Sequence, residues 1–309
     1  MSVSSLDVVL SESSPPQARA RGPWSVVKDY LALTKPRLSS LVLFTTAGSM
    51  WLSGRPVSGW TWLCALAGTA GTVGAAHTFN CVLERDSDRF MARTAQRPLP
   101  TRRLTVPQAL VFGVVLAGLA LPALSLGVNW LTGLLGLCAL LLYVLAYTPL
   151  KPRTHLAMLV GAIPGALPPL MGWTATTGRV ALPGLVLFGI LFFWQLAHFI
   201  AIALFRKAEY RAAGLTSLPL QKGDDVARLH AVLYLAALLP VSVLPAVVGV
   251  AGWLYAVVAV ALGAWFAWVG VAGWRTRGDE AWARKFFRVS LLYLTGLFAA
   301  LAISGGLGL

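Results

Sequence analysis

The sequence predicts an all-α polytopic membrane protein: about nine transmembrane helices in a bundle around a central cavity, with acidic site loops on the cytoplasmic face. Three observations predict it. Hydrophobic residues make up 57% of the chain and mean hydropathy is +0.73, which excludes an ordinary soluble domain. Apolar runs of about 20 residues, the length that crosses a bilayer, recur from end to end. The basic residues gather in alternate loops, as they do when cytoplasmic loops retain Lys and Arg.

The runs lie near 38–54, 60–83, 105–126, 130–148, 156–175, 181–205, 229–248, 251–273 and 287–306. Residues 1–27 precede them and are rich in Ser, Pro and Arg, with no apolar core stretch. They predict a disordered polar tail and not a signal peptide, leaving 28–309 as the membrane domain. Asp7 and Glu12 argue against a transit peptide, so the expected location is a bacterial inner membrane. Lys35-Pro36-Arg37 opens the first run. The fifth carries Gly161, Pro164, Gly165, Pro168, Pro169 and Gly172, which predicts a bent helix packed closely against its neighbours or lining a cavity. Cys64, Cys81 and Cys138 lie in or beside runs without a CxxC spacing, so neither a disulfide nor a zinc site is expected.

With the N-terminus placed inside, all but Arg55 and Arg179 of the 25 basic residues fall on the inner side. The topology therefore accounts for the formal charge of +14, and no nucleic acid is needed as a partner. The lipid bilayer and anionic substrates are the expected counterparts. The 11 acids fall on the same side, and three of them crowd one helix end.

That end reads Asn80-Cys-Val-Leu-Glu84-Arg-Asp86-Ser-Asp88, followed by Arg93 and by Arg97-Pro-Leu-Pro100. Asn80, Glu84 and Asp88 are spaced to share one helical face over roughly 12 Å, with Asp86 turned elsewhere. Magnesium takes hard oxygen ligands, commonly one or two carboxylates plus substrate phosphates, and arginine forks suit phosphate oxygens. The competing reading is a solvated loop that only fixes topology. Carboxylates near membrane depth are rare without a task, which favours the metal and diphosphate reading. A second polar end follows the sixth run: His198, then Arg206-Lys207-Ala-Glu209-Tyr210. His198 lies about 16 Å deeper than Glu209 if one helix carries both. A histidine at that depth serves either packing or a ligand. His77, one turn before Asn80, poses the same choice; His155 and His230 sit near helix ends, where packing suffices. Lys35, Arg37 and Tyr147-Thr-Pro-Leu-Lys151 face the acidic side and are snorkelling anchors or anion contacts.

These residues, taken together with Met91-x-Arg93-Thr94, Gly165-Ala-Leu-Pro168-Pro169 and Leu218-Pro219, resemble the UbiA-type intramembrane prenyltransferases over about residues 30–220. Within that family the likeness is to members that farnesylate protohaem IX. The resemblance implies a magnesium-dependent transfer from farnesyl diphosphate to a vinyl group of haem B, with addition of water, giving haem O and diphosphate. It implies Asn80, Glu84, Asp88 and Glu209 as catalytic, and these four together with Asp86 as the metal ligands. Lys35, Arg37, Arg93, Arg97, Lys151, Lys207, Tyr210 and His198 would hold the substrates. A haem A synthase or terminal-oxidase assembly is the partner it implies. Glu84 and Glu209 stand where the family pattern has Asp, which lengthens each ligand arm by one methylene. Other readings are the same chemistry on an aromatic or quinone-precursor acceptor, an organic-anion transporter, and a non-enzymatic oxidase assembly factor. The clustering of acids at one edge argues against the transporter.

Overall fold

The computed structural model describes residues 22–307, which form helices and no strand. In chain order these are α1 (Pro23–Leu33), α2 (Pro36–Leu52), α3 (Gly59–Leu83), a 3-10 turn (Ser87–Phe90), α4 (Val106–Gly127) and α5 (Trp130–Leu141). A π-helical turn (Leu142–Tyr147) joins α5 to the short α6 (Thr148–Leu150). Then come α7 (Ala157–Thr177), α8 (Leu182–Phe205), α9 (Lys207–Ala212), α10 (Leu218–Lys222), α11 (Asp224–Val247), α12 (Trp253–Arg275) and α13 (Glu280–Leu307).

Seven helical stretches among the described residues are long and apolar enough to cross a membrane: α4, Trp130–Leu150, α7, α8, α11, α12 and Glu280–Gly305. The expected count of nine adds α2 and α3. Both are present as helices, but α2 has only 17 residues, and α3 carries Thr69, Thr72, His77, Thr78 and Asn80 among its buried positions.

The expected tail reached residue 27, but Pro23 opens α1 and residues 23–27 are helical. Proline is favoured at a first helical position, where its fixed φ helps and its missing N–H costs nothing. Leu33 and Asp29 are buried while Trp24, Val27 and Leu31 stay exposed, so α1 rests on the bundle by one face. The remainder of that tail, residues 1–21 with Asp7, Glu12, Arg19 and Arg21, lies outside the described residues.

Long helices adjacent in sequence pack side by side, α2 on α3 through to α12 on α13, and α13 returns to α2 to close a ring. Contacts of α2 with α7 and of α8 with α13 cross the ring and build its core. Helix α7 is the most enclosed, with Pro164, Pro168 and Pro169 all buried. Its glycines set the spacing: a Cβ at Gly172 would run into the Thr46 carbonyl oxygen of α2, and one at Gly165 into the Gln195 amide of α8. Close approach of backbones through small residues is how membrane helices gain packing energy without a hydrophobic drive. The open volume beside the acidic helix end is a cleft of about 330 Å³, lined in part by Glu84, Asp86, Thr148, Lys151 and Leu215.

Candidate active site

Helix α3 delivers Asn80 to a fully buried position at its last turn. The helix does not continue through Asp88 as the spacing alone implies. Glu84 leaves helical geometry (φ −95°, ψ 4°) and caps α3. The chain then re-enters a 3-10 turn, in which the Asp88 N–H donates to the Glu84 carbonyl at 2.8 Å. Asp88 is nonetheless fully buried, and the Thr94 hydroxyl donates to its carbonyl oxygen at 2.8 Å. A single helical face is therefore replaced by a helix end and a folded turn.

Each of the three is already met by a cation or a donor. Lys35 Nζ donates to Asn80 Oδ1 at 2.6 Å, Lys151 Nζ to Glu84 Oε1 at 2.6 Å, and Arg97 Nη1 to Asp88 Oδ2 at 2.7 Å. Lys35 makes its contact from a left-handed backbone, φ 50° and ψ 61°, as the N-cap of α2. Such a conformation costs a non-glycine residue of order 1 kcal/mol or more and is sustained only where the surroundings fix it. Burial pulls the Lys35 ammonium down to about 8, against the opposing influence of Glu84. Burial works to raise the Glu84 carboxyl, but Lys151 and Lys35 beside it outweigh that and hold it below the usual carboxylate range. Burial likewise works to lower Lys151, and Tyr147 and Glu84 overcome it, leaving the ammonium firmly charged.

The π turn shapes the opposite wall. By shifting register it brings Thr148 Oγ1 to Asn80 Nδ2 (3.2 Å) while the same hydroxyl donates to the Tyr143 carbonyl (2.8 Å). Lys151 Nζ lies 4.5 Å from the Tyr147 ring centroid, a cation–π contact. Single π turns occur often at functional sites. Thr216 then ties the second polar loop to this wall, its N–H and hydroxyl both donating to the Lys151 carbonyl at 2.9 and 2.8 Å.

The other expected site residues are placed differently. Helix α8 ends at Phe205, with Arg206 out of helical geometry (φ −110°, ψ 18°), so His198 and Glu209 do not share one straight helix. Glu209 accepts from Arg206 Nη1 at 2.8 and 2.9 Å, and Lys207 Nζ is held by Asp224 at 2.6 Å; neither contact joins the Asn80 cluster. Tyr210 is half-buried, which raises its phenol, and Lys151, Arg93 and Arg206 lie close enough to oppose that. Asp86 is exposed, loosely paired with Arg85 and Arg89. Arg37 and Arg93 are exposed. His198 is buried between the Trp194 and Phe287 rings (4.7 and 4.6 Å), with Nδ1 2.7 Å from Ser290 Oγ. Ser290 spends its own proton on the Phe287 carbonyl (2.7 Å). His198 therefore carries its proton on Nδ1, leaving the Nε2 lone pair available.

No three His, Cys, Asp or Glu side chains form a ready metal cage among the described residues, so the five-residue metal set expected from sequence is not assembled. A smaller set fits a hard divalent cation. Asp88 Oδ1 is buried without a hydrogen-bond partner, and an unpaired buried acceptor of this kind costs about 1–3 kcal/mol. Asn80 and Glu84 present oxygens now taken up by ammonium groups, which are point charges a metal and a diphosphate would replace. Sequence reasoning missed Thr148, Thr216 and Ser290. Only Thr148 carried a signal, lying within the Tyr147–Lys151 run.

This combination of a helical bundle and a charged cluster at a helix end defines a class: the chain belongs to the UbiA prenyltransferase family, whose sequence model matches residues 41–292. Among named relatives, it is 57% identical to a protoheme IX farnesyltransferase of Myxococcus xanthus over 93% of this chain and 97% of that protein. It is 46% identical to one of Anaeromyxobacter dehalogenans over 93% and 98%. Solved structures share the fold at low identity. A digeranylgeranylglyceryl phosphate synthase aligns with TM-score 0.78 at 17% identity, over 90% of this chain and 98% of that one. A UbiA homologue from Archaeoglobus fulgidus bound to GPP and Mg²⁺ aligns with TM-score 0.65 at 18%, over 88% and 99%.

Proposed function

We propose that this chain transfers the farnesyl group of farnesyl diphosphate to a vinyl group of protohaem IX, with water added, releasing diphosphate and giving haem O. The observation that carries the reading is its likeness to protoheme IX farnesyltransferases over 93% of the chain.

Asn80, Glu84 and Asp88 would hold magnesium, with Asp86 at the mouth of the cleft and Glu209 reaching it from α9 once freed from Arg206. When bound, the metal supplies charge that neutralises the diphosphate. Lys35, Lys151 and Arg97 exchange their present partners for diphosphate oxygens and stabilise charge as the allylic C–O bond breaks. Arg93, Lys207 and Tyr210 border the same loops, and Arg37 is free to meet a propionate. His198 offers Nε2 to the haem. The apolar bundle below excludes water from the carbocation until the vinyl carbon attacks. The loops carrying these residues face the cytoplasm of a bacterial inner membrane in this reading, and α2 and α3 also cross, completing nine spans. Delivery to a haem A synthase or an oxidase assembly would follow.

The test incubates purified protein with haem B, farnesyl diphosphate and magnesium and analyses haems by mass spectrometry. A haem gaining a hydroxyethylfarnesyl group, and failing to do so with EDTA, is expected. Unmodified haem from folded protein would drop haem as the acceptor and turn attention to aromatic acceptors.

A further inference from the structure

We propose that His77 is the base that takes the proton from the water added to the vinyl group. The inference rests on the haem-farnesylating reading above.

Four histidines are present, and three have a hydrogen bond at Nδ1: His155 with Gln221, His198 with Ser290 and His230 with the Val226 carbonyl. His77 differs. It is 9% exposed, and its Nδ1 is buried with no partner. An imidazole nitrogen left so costs about 1–3 kcal/mol, so a packing role alone would favour an apolar residue there. Its place in the fold is specific. His77 precedes Asn80 by one turn of α3, on the same helical side and deeper in the bundle. Its ring meets Tyr143 edge-on at 5.6 Å, and the Tyr143 carbonyl is bonded to Thr148, which also meets Asn80.

A diphosphate held at Asn80 would stand about one helical turn from His77, and in this reading the farnesyl and vinyl carbons would meet on the His77 side of it. The diphosphate departs with the C–O electron pair. The vinyl π electrons form the new bond to the farnesyl carbon, leaving a cation on the vinyl carbon beside the porphyrin. A water oxygen gives that carbon a lone pair and one proton to Nδ1 of His77, acting in the tautomer with its proton on Nε2. His77 then returns the proton to the departing diphosphate. One water is consumed, and the diphosphate leaves carrying the one proton that water gave up.

His77→Phe keeps a ring of similar shape without a base, and His77→Gln keeps a group able to hold water but not to accept its proton. Both full-length variants are incubated with haem B, farnesyl diphosphate and magnesium. The ratio of hydrated farnesyl haem to farnesyl haem lacking one water is then read by mass spectrometry. Without the base the cation should shed a proton to give the alkene, and the hydrated fraction should fall at least ~10-fold, as for loss of a general base. An unchanged ratio in either folded variant, or loss of both products together, overturns the proposal. If His77→Phe fails to fold, His77→Gln decides it. Wild-type protein that makes no farnesyl haem at all refutes the function instead, and this inference with it.

Discussion

At Glu84 and Asp88 a carboxylate is paired with a cation while being largely withdrawn from water, an arrangement that is weak evidence for stability and good evidence for a task. Glu84→Gln and Asp88→Asn keep the shape and remove the charge. Each should lower haem farnesylation at least ~100-fold, the scale of losing a direct charge contact, while membrane insertion and yield are retained. Normal turnover in both would remove them from the site. Lys151→Met should instead strand Glu84 and lower the unfolding free energy by about 3 kcal/mol, measured as a drop in Tm in detergent. Combining it with Glu84→Gln should restore part of that loss. The sequence made the acids and Lys151 legible because charge is scarce in this chain and its spacing is visible. It could not assign Ser290 or Thr216, since a hydroxyl in a helix or loop looks alike whether or not it meets a partner from a distant segment.

Elements were read well where periodicity and apolar length decide them, and less well where backbone geometry does. All nine apolar runs became helices, but the stop at Glu84 and the break at Arg206 carry no proline or glycine to mark them, and the π turn at Leu142–Tyr147 is hinted at only by Pro149, which cannot donate to the Leu145 carbonyl. The packing of α7 is testable. Gly172→Ala would force its Cβ against the Thr46 carbonyl, where the neighbour is backbone and cannot swing away. A loss of about 1–3 kcal/mol is expected, as for overpacking, again read from Tm. Gly118→Ala on α4 meets nothing within 4 Å and should leave Tm unchanged or raise it, since alanine is the better helix former. Equal effects at the two positions would mean that α2 and α7 are not held at this distance.

For the whole molecule, the charge distribution sets the orientation to be checked. Single cysteines placed at Gly178 and at Lys222, in a background lacking Cys64, Cys81 and Cys138, should label from opposite sides of the membrane with an impermeant maleimide, with Lys222 on the cytoplasmic side. Labelling of both from one side would contradict the charge-based topology. The ring of helices was not legible as a ring, since hydropathy reports crossing and not neighbours; α13 meets α2 through residues more than two hundred positions apart in the chain. The same long reach shapes the site, where Lys35, Asn80 and Thr148 converge from three elements. In the proposed reading Glu84 is held by the Lys151 ammonium and Asp88 by the Arg97 guanidinium, so a metal ion arriving alone would compete with these cations, and a diphosphate arriving alone would have to draw them from their carboxylates. Neither ligand is well received without the other. Thermodynamic linkage then requires the benefit to be mutual: diphosphate should tighten magnesium by the same factor by which magnesium tightens diphosphate, so the two act as one composite ligand.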